Sequence, residues 1–337
     1  MHTDLPPFSP PVGLRNAHLQ SMLNSLGPRP WQVARRSAAM TARSQPLVLN
    51  GWHGDQPVKL LAHFDQVDRS NERLVILLHG WEGSAQSTYL LSAASHLYHQ
   101  GFNILRINLR DHGESFHLND STFNSTLAEE VSSAIASFLE QRPHQERYLA
   151  GYSLGGNFAL RIAADDGTAL ALAAVVAICP PVDPAHAMVR IMAGPMYRDY
   201  FLDKWSGSLR NKLHYYPQLL AQGQLPRFEL LTDLNDFFVA ELTPFEDANA
   251  YFAAYALYGD RLNGLSVPAY LITSEDDPIV PVSDLRLLNR PASLKVEVTQ
   301  FGGHCGFIEN YRLDSWGDRC LTQVFNHHRN TPESALR

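Results

Sequence analysis

The chain has 337 residues, of which 45% are hydrophobic and 18% charged, a composition that is ordinary for a globular protein with a large core. The formal net charge of −7 argues against a nucleic-acid partner, because nucleic-acid-binding proteins carry basic surfaces that neutralise phosphates. α/β folds with insertions often reach this length, and we expect residues 1–337 to form a single domain.

The predicted elements begin with a segment of about residues 1–45 that is rich in proline and arginine and has weak periodicity. We expect it to wrap over a surface rather than to form part of the core. Its first 13 residues lack the basic start and the apolar centre of a signal peptide. Residues 46–64 then predict a β-hairpin, because two apolar runs flank a turn that contains Gly54 and Asp55.

From residue 73 onwards, strand and helix patterns alternate. Short β-branched runs predict buried strands, and apolar positions three and four apart predict helices. The predicted strands are 73–80, 102–109, 147–153, 170–181, 267–277 and 293–301, and the predicted helices are 87–101, 124–142, 155–166, 281–290 and 308–328. We therefore predict an α/β fold with a mostly parallel central sheet, helices on both faces and a helical cap insertion at about residues 184–265.

The three cysteines, Cys179, Cys305 and Cys320, are odd in number and lack the spacing of a C-x-x-C motif. This pattern argues against a disulfide framework and favours a reducing compartment. No apolar run reaches the roughly 18 residues that can span a bilayer. We expect a cytoplasmic protein without a transmembrane segment.

Residues 151–156, GYSLGG, contain the pattern G-x-S-x-G with the serine at Ser153. The pattern alone is weak, and an idle serine in a glycine-rich turn is the alternative. Here, however, a predicted strand precedes it and a predicted helix follows, which is the setting of a strained nucleophile elbow. We predict Ser153 as a nucleophile, with the amide of Leu154 facing the reaction from the N-terminus of the helix.

A serine hydroxyl needs a base, and the base needs an acid that fixes its tautomer. His304 lies in a glycine loop directly after the last predicted strand, where open α/β sheets place ligands. The chain order Ser…Asp…His places the acid between the other two residues. One predicted strand in that interval ends in carboxylates, at Asp276 and Asp277.

A second oxyanion donor is expected from the loop after an early strand, since one such donor contributes roughly 10²–10³ in rate. Residues 77–84, LLHGWEGS, follow the first core strand. Gly80 lets the backbone turn sharply, so that the amide of Trp81 can face the serine. A plain β-to-α turn is the alternative, and we expect His79 to brace the loop.

These motifs resemble the α/β-hydrolase superfamily over nearly all of residues 50–330. Within it, the chain is similar to the YheT-like family, also called AB-hydrolase family 4, a group of esterases. The similarity lies in FSPPVGLRNAHLQSML, HGWEGS, LTPFEDANAYFAAYAL and GGHCGF. The first of these segments contains Arg15, Asn16, His18 and Gln20, for which we expect a structural bracing role.

The resemblance implies hydrolysis of carboxylic esters, with short to medium acyl chains favoured.

The sequence departs from these relatives at Asp111, where they usually carry glycine, and aspartate tolerates the unusual backbone geometry of such a turn. In members of the superfamily, the acid of the triad lies three positions after a small residue. If Ser274 is that small residue, the acid is Asp277. Neighbouring side chains on a strand point to opposite faces, so Asp276 is expected to brace a loop or to face solvent.

In the predicted cap, Met188, Met192 and Met196 recur four residues apart, and aromatic residues follow. The pattern favours a helix whose apolar face packs on the main domain. The alternative is that Met188, Met192 and Tyr197 line a substrate pocket, since methionine suits variable apolar chains.

The leading hypothesis is a serine carboxylesterase. In it Ser153 attacks the ester, His304 transfers the proton, Asp277 orients His304, and the amides of Trp81 and Leu154 hold the oxyanion. One alternative is acyl transfer to an alcohol at the same residues, and another is a hydrolase-like binding protein with negligible turnover. We expect a small acyl ester as the ligand and assign no metal, no cofactor and no oligomeric state.

Overall fold

The computed structural model describes residues 5–68 and 72–329, so parts of the predicted single domain, including the first four residues of its N-terminal segment, lie outside the described residues. The described strands are β1 (Gln45–His53), β2 (Gln56–Asp65), β3 (Arg73–Leu78), β4 (Asn103–Ile107), β5 (Glu146–Tyr152), β6 (Leu172–Ile178), β7 (Ala269–Ser274) and β8 (Leu294–Thr299). They form one sheet in the order β1-β2-β4-β3-β5-β6-β7-β8.

The sheet is mostly parallel, as predicted. Strands β3 to β8 pair in parallel, whereas β2 pairs antiparallel with both β1 and β4. The hairpin of β1 and β2 turns at Gly54 and Asp55, between the paired residues His53 and Gln56. Because β3 to β8 are parallel, their carboxyl ends lie together on one side of the sheet.

The helices cover both faces of the sheet. They are α1 (Ala17–Leu23), α2 (Arg29–Thr41), α3 (Thr88–His99), α4 (Ala128–Gln141), α5 (Leu154–Asp166), α6 (Pro184–Ala193), α7 (Pro195–Tyr215), α8 (Leu231–Leu242), α9 (Ala248–Tyr255) and α10 (Trp316–His327). In β3, Leu74, Ile76 and Leu78 pack towards α4 and α5, while Val75 and Leu77 pack towards α3 and α10. The two-residue period of the strand therefore divides the core into two layers.

Helices α6 to α9 all lie between β6 and β7, in the interval of the predicted cap. Trp205 of α7, Phe238 of α8 and Tyr251 of α9 are buried in the same hydrophobic cluster as α4 and α5. The four helices thus pack on the face of the sheet that carries α5, above the carboxyl end of β5.

Three predicted elements differ from the structure. The predicted helix at 281–290 is only a short 3-10 helix, Val282–Leu287. The predicted helix at 308–328 begins at Trp316, because Ser315 caps α10 by accepting a hydrogen bond from the amide of Asp318. The N-terminal segment contains α1 and α2, and Met40 of α2 is fully buried in the core, so the expectation that this segment stays outside the core is wrong there.

Candidate active site

Ser153 occupies the sharp turn between β5 and α5. Its backbone lies at φ 53° and ψ −120°, a region that non-glycine residues rarely adopt. A Cβ atom on Gly151 would come within 2.0 Å of the Gly155 carbonyl oxygen, and one on Gly155 would come within 2.4 Å of the His79 carbonyl oxygen. The two glycines therefore allow the close packing of strand and helix that holds Ser153 in this conformation.

A chain of hydrogen bonds joins Ser153 to two other side chains across the sheet. The Ser153 Oγ atom lies 2.9 Å from His304 Nε2, and His304 Nδ1 lies 2.8 Å from Asp277 Oδ2. When Nδ1 donates its proton to the carboxylate, Nε2 is left to accept the proton of the serine hydroxyl. The three groups can thus activate a serine and carry its proton.

Asp277 and Asp276 have different partners, although they are adjacent. The other carboxylate oxygen of Asp277 accepts hydrogen bonds of 2.8 Å from the amides of Ile279 and Val280. The Asp276 carboxylate instead accepts a 2.9 Å hydrogen bond from the amide of Gly303, in the loop that carries His304. Asp276 therefore braces the histidine loop, whereas Asp277 contacts the imidazole itself.

The environment of His304 favours its protonated form. Burial lowers the pKa of the imidazole, but the Asp277 carboxylate and the Cys305 thiol outweigh burial and raise the pKa well above its ordinary value. Such an imidazole is a stronger base towards a serine hydroxyl, and it is neutral only at pH values above the raised pKa.

The predicted oxyanion donors are the amides of Leu154 and Trp81, and both residues line the same cavity as Ser153. Helix α5 begins at Leu154, so its amide is one of the first-turn amides that have no partner within the helix. Trp81 follows Gly80, whose backbone packs closely on Ser153. A Cβ atom added at Gly80 would lie only 3.2 Å from the Cβ atom of Ser153. The Trp81 ring stacks on Phe201 of α7 with centroids 4.7 Å apart, which ties this loop to the helices above it.

His79 braces the same loop and is fully buried. Its Nδ1 atom lies 2.7 Å from the Gly80 carbonyl oxygen, and its Nε2 atom accepts a 3.1 Å hydrogen bond from the Leu109 amide. Burial lowers its pKa to about 3, so the ring is neutral at physiological pH. This geometry agrees with a structural role for His79.

A cavity of about 880 Å³ opens above Ser153 and His304, beneath α6 to α9. Met188 and Tyr197 belong to its wall, together with aromatic side chains of α8 and α9. Met192 is not among the lining residues and packs against the hydrophobic core instead. The cavity has a size that suits a small-molecule ligand.

The N-terminal helix α1 contacts the histidine loop directly. The Ser21 hydroxyl oxygen accepts a 2.8 Å hydrogen bond from the amide of His304. The buried Gln20 side chain donates to the Ile308 carbonyl oxygen and accepts from the Ile308 amide, at 3.0 and 2.7 Å. A Cβ atom on Gly303 would lie 2.3 Å from the Ala17 carbonyl oxygen. Helix α1 thus holds the same loop that Asp276 contacts, and the sequence did not single out Ser21.

Arg15, Asn16 and His18, which belong to the same N-terminal segment, have local or bridging contacts. Asn16 caps α1 by accepting a 2.9 Å hydrogen bond from the amide of Leu19. Arg15 lies over the Phe301 ring at 5.2 Å, just before the histidine loop. His18 Nδ1 lies 2.8 Å from the Tyr197 hydroxyl and joins α1 to α7. Of these contacts, the one between Arg15 and Phe301 lies next to the histidine loop, whereas those of Asn16 and His18 hold α1 itself.

Asp111 adopts φ 57°, the left-handed conformation in which glycine is common. Its carboxylate accepts a 2.8 Å hydrogen bond from Lys212 of α7 and another of 2.8 Å from the amide of Phe123. The aspartate therefore fits the turn and anchors α7 to the loop after β4. The sequence did not predict Lys212 as its partner.

A sheet of this topology, with a serine elbow after β5 and a histidine loop after β8, defines the class of α/β hydrolases. The sequence model of the alpha/beta hydrolase family matches residues 75–313, and the chain belongs to this family. In the described part of the chain, none of the helices combines the length and the apolar character that crossing a bilayer requires.

Two curated relatives cover most of the chain. "Putative esterase YheT" of Escherichia coli is 26% identical over 89% of this chain and 87% of its own length. The "Medium-chain fatty acid ethyl ester synthase/esterase 2" of Saccharomyces cerevisiae is 21% identical over 82% of this chain and 67% of its own length. Among solved structures, the Pyrococcus furiosus esterase Pf2001 has a TM-score of 0.56 at 17% identity, covering 86% of this chain and 93% of its own, which supports the fold.

Proposed function

We propose that the protein is a serine carboxylic-ester hydrolase. The observation that carries this proposal is the hydrogen-bonded chain from Ser153 through His304 to Asp277 at the floor of a cavity. The names of the curated relatives, both of which include the word esterase, agree with it. Release of p-nitrophenol from p-nitrophenyl butyrate by the purified protein tests it, and failure to cleave any ester in an acyl-length series contradicts it.

The reaction starts with Ser153, whose hydroxyl oxygen attacks the ester carbonyl carbon while His304 Nε2 takes the hydroxyl proton. The carbonyl oxygen becomes an oxyanion that the amides of Trp81 and Leu154 stabilise. Collapse of this intermediate breaks the bond to the alcohol, which receives the proton from His304. A water molecule then attacks the acyl-enzyme by the same route, with His304 as base, and the carboxylic acid leaves.

The substrate is proposed to carry a short to medium acyl chain. The cavity is lined by apolar and aromatic side chains from α6, α8 and α9, which suit an apolar acyl group. Its volume of about 880 Å³ accommodates more than an acetyl group. The yeast relative is named for medium-chain fatty acid esters, in agreement with this range.

A Met188→Trp substitution is expected to lower kcat/KM for a p-nitrophenyl octanoate about 10-fold relative to acetate, because the larger ring fills space at the cavity wall. Met192→Trp is the matched control, since Met192 lies one turn further along α6 and packs against the core. An acyl-length series on both variants checks this. An equal change in acyl preference in the two variants would place the acyl site elsewhere.

A Ser21→Ala substitution is expected to lower kcat about 3- to 10-fold, because the His304 amide loses one hydrogen-bond partner and the imidazole is held less firmly. KM should change little, since Ser21 acts on the histidine loop rather than on the acyl group. Ser25→Ala, just beyond the end of the same helix, is the control. Steady-state kinetics of both variants at matched melting temperature test the difference, and equal kcat values would show that α1 does not position His304.

Acyl transfer to an alcohol is the second candidate function, favoured by the ester synthase in the name of the yeast relative. It uses the same acyl-enzyme, but an alcohol rather than water accepts the acyl group. Product analysis with added ethanol separates the two functions. Ethyl ester in excess over free acid, at an ethanol concentration far below that of water, would favour the transferase.

A further inference from the structure

Two cysteine thiols lie beside the His304 imidazole. The Sγ atoms of Cys179 and Cys305 and one ring nitrogen of His304 all lie within 4.8 Å of one another. Both thiols are free and buried. The proposed hydrolysis uses His304 but neither of the two thiols.

The two thiols come from different parts of the fold. Cys179 directly follows β6, and Cys305 directly follows His304 in the histidine loop. The Cys305 amide donates a 3.3 Å hydrogen bond to the Cys179 sulfur, which fixes the two residues against each other. Cys305 also borders the cavity above Ser153, so a small ion can reach the cluster from the substrate side.

We propose that Cys179, Cys305 and His304 form a binding site for one soft divalent metal ion, such as Zn²⁺, that inhibits the enzyme reversibly. Two thiolates and one imidazole are ligands that Zn²⁺ prefers, and a water molecule commonly fills the fourth position of such a site. Zinc–sulfur bonds of about 2.3 Å place two sulfurs about 3.8 Å apart on a tetrahedral ion, so the ligand atoms need to approach by only about 1 Å.

The charges also suit a buried ion. Two thiolates neutralise a divalent cation, which limits the cost of keeping the complex out of water. Binding releases to solvent the protons of the thiols and any proton on the ring nitrogen that takes the ion, and it forms two metal–sulfur bonds and one metal–nitrogen bond.

Inhibition follows from the position of the imidazole, and this part of the inference rests on the proposed function. Both ring nitrogens of His304 already belong to the proton relay, one facing Ser153 and the other facing Asp277. An ion that binds either nitrogen removes the base from Ser153. If the ion takes Nε2, Asp277 becomes the carboxylate partner that metal-bound histidines usually have.

The test of binding uses the full-length Ser153→Ala variant with Co²⁺ as a spectroscopic probe. This variant keeps all three ligands, so binding is measured independently of ester hydrolysis. We expect one Co²⁺ per chain in equilibrium dialysis, with a thiolate-to-cobalt charge-transfer band that excess Zn²⁺ abolishes. If the charge-transfer band does not form, the site is wrong, whether or not the wild-type protein hydrolyses esters.

Matched cysteine variants locate the ion. Cys179→Ala and Cys305→Ala are each expected to abolish the charge-transfer band, whereas Cys320→Ala should retain it, because this buried thiol of α10 lies outside the cluster. A band that persists in both cluster variants would place the ion elsewhere. The Co²⁺ spectrum of the Ser153→Ala protein needs neither cysteine variant, so the proposal remains testable even if one cysteine substitution prevents folding.

The test of inhibition uses the wild-type protein and p-nitrophenyl butyrate. One equivalent of Zn²⁺ is expected to lower the rate at least 10-fold, and EDTA should restore it. For Cys305→Ala, the rate of hydrolysis with Zn²⁺ should equal the rate of the same variant without metal. Unchanged wild-type hydrolysis in the presence of bound Zn²⁺ would overturn inhibition. A protein that binds Co²⁺ but cleaves no ester without metal would instead overturn the proposed function alone.

Discussion

Ser153→Ala is expected to lower kcat/KM for p-nitrophenyl butyrate by on the order of 10⁴–10⁶-fold, because it removes the hydroxyl that is proposed to form the acyl-enzyme. The Ser153 hydroxyl lies 2.9 Å from His304 Nε2, at the end of the proton relay. Removing it leaves the cavity and the loop amides in place, so the substrate should still bind. Steady-state kinetics with purified protein measure the effect.

The control for this substitution is Ser132→Ala, which removes a serine hydroxyl on α4 that donates to Asp166, away from the cavity. We expect this variant to retain activity within a few-fold, and thermal melting should show both variants folded. Rapid turnover by folded Ser153→Ala would refute the assignment of Ser153 as the nucleophile.

Asp277→Asn is expected to lower kcat by about 10⁴-fold, because an amide can present its N–H to His304 Nδ1 and favour the wrong tautomer. Asp276→Asn is the matched substitution at the neighbouring residue. Its amide oxygen can still accept the hydrogen bond from Gly303, so we expect a loss of less than about 10-fold. The reverse ranking of the two variants would show that Asp276 is the acid.

The pH dependence gives a second measurement on the same pair of variants. His304 is the base only when neutral, so activity should rise with pH through the His304 pKa, which lies above the ordinary value of about 6.5. Removing the negative charge of Asp277 lowers that pKa. The acid limb of kcat/KM should therefore move to lower pH in Asp277→Asn and stay in place in Asp276→Asn. An unmoved limb in Asp277→Asn would contradict the contact of Asp277 with His304.

The sequence predicted the alternation of strands and helices because its signals are local. Short apolar runs, most of them with β-branched residues, marked β3 to β8, and the glycines around Ser153 marked the elbow. The predicted helix at 308–328 was too long because apolar spacing continues into a segment where Leu313 adopts φ 57°. Periodicity alone did not reveal that single left-handed residue or the cap at Ser315.

The contacts that the sequence did not predict join residues far apart in the chain. Ser21 reaches the amide of His304 across 283 positions, and Lys212 reaches Asp111 across 101. Cys179 and Cys305 meet because β6 and the histidine loop end on the same side of the sheet. No short motif encodes such pairs, since each depends on how separate elements pack.

The most direct test of the proposed serine mechanism is labelling of the folded wild-type protein with a fluorophosphonate, followed by mass spectrometry of its peptides. A nucleophilic serine attacks the phosphorus and displaces fluoride, leaving a stable adduct. We predict one adduct per chain, on the peptide that contains Ser153, and none in Ser153→Ala. An unlabelled wild-type protein, or an adduct on another residue, would contradict the assignment of Ser153, His304 and Asp277 as a catalytic unit.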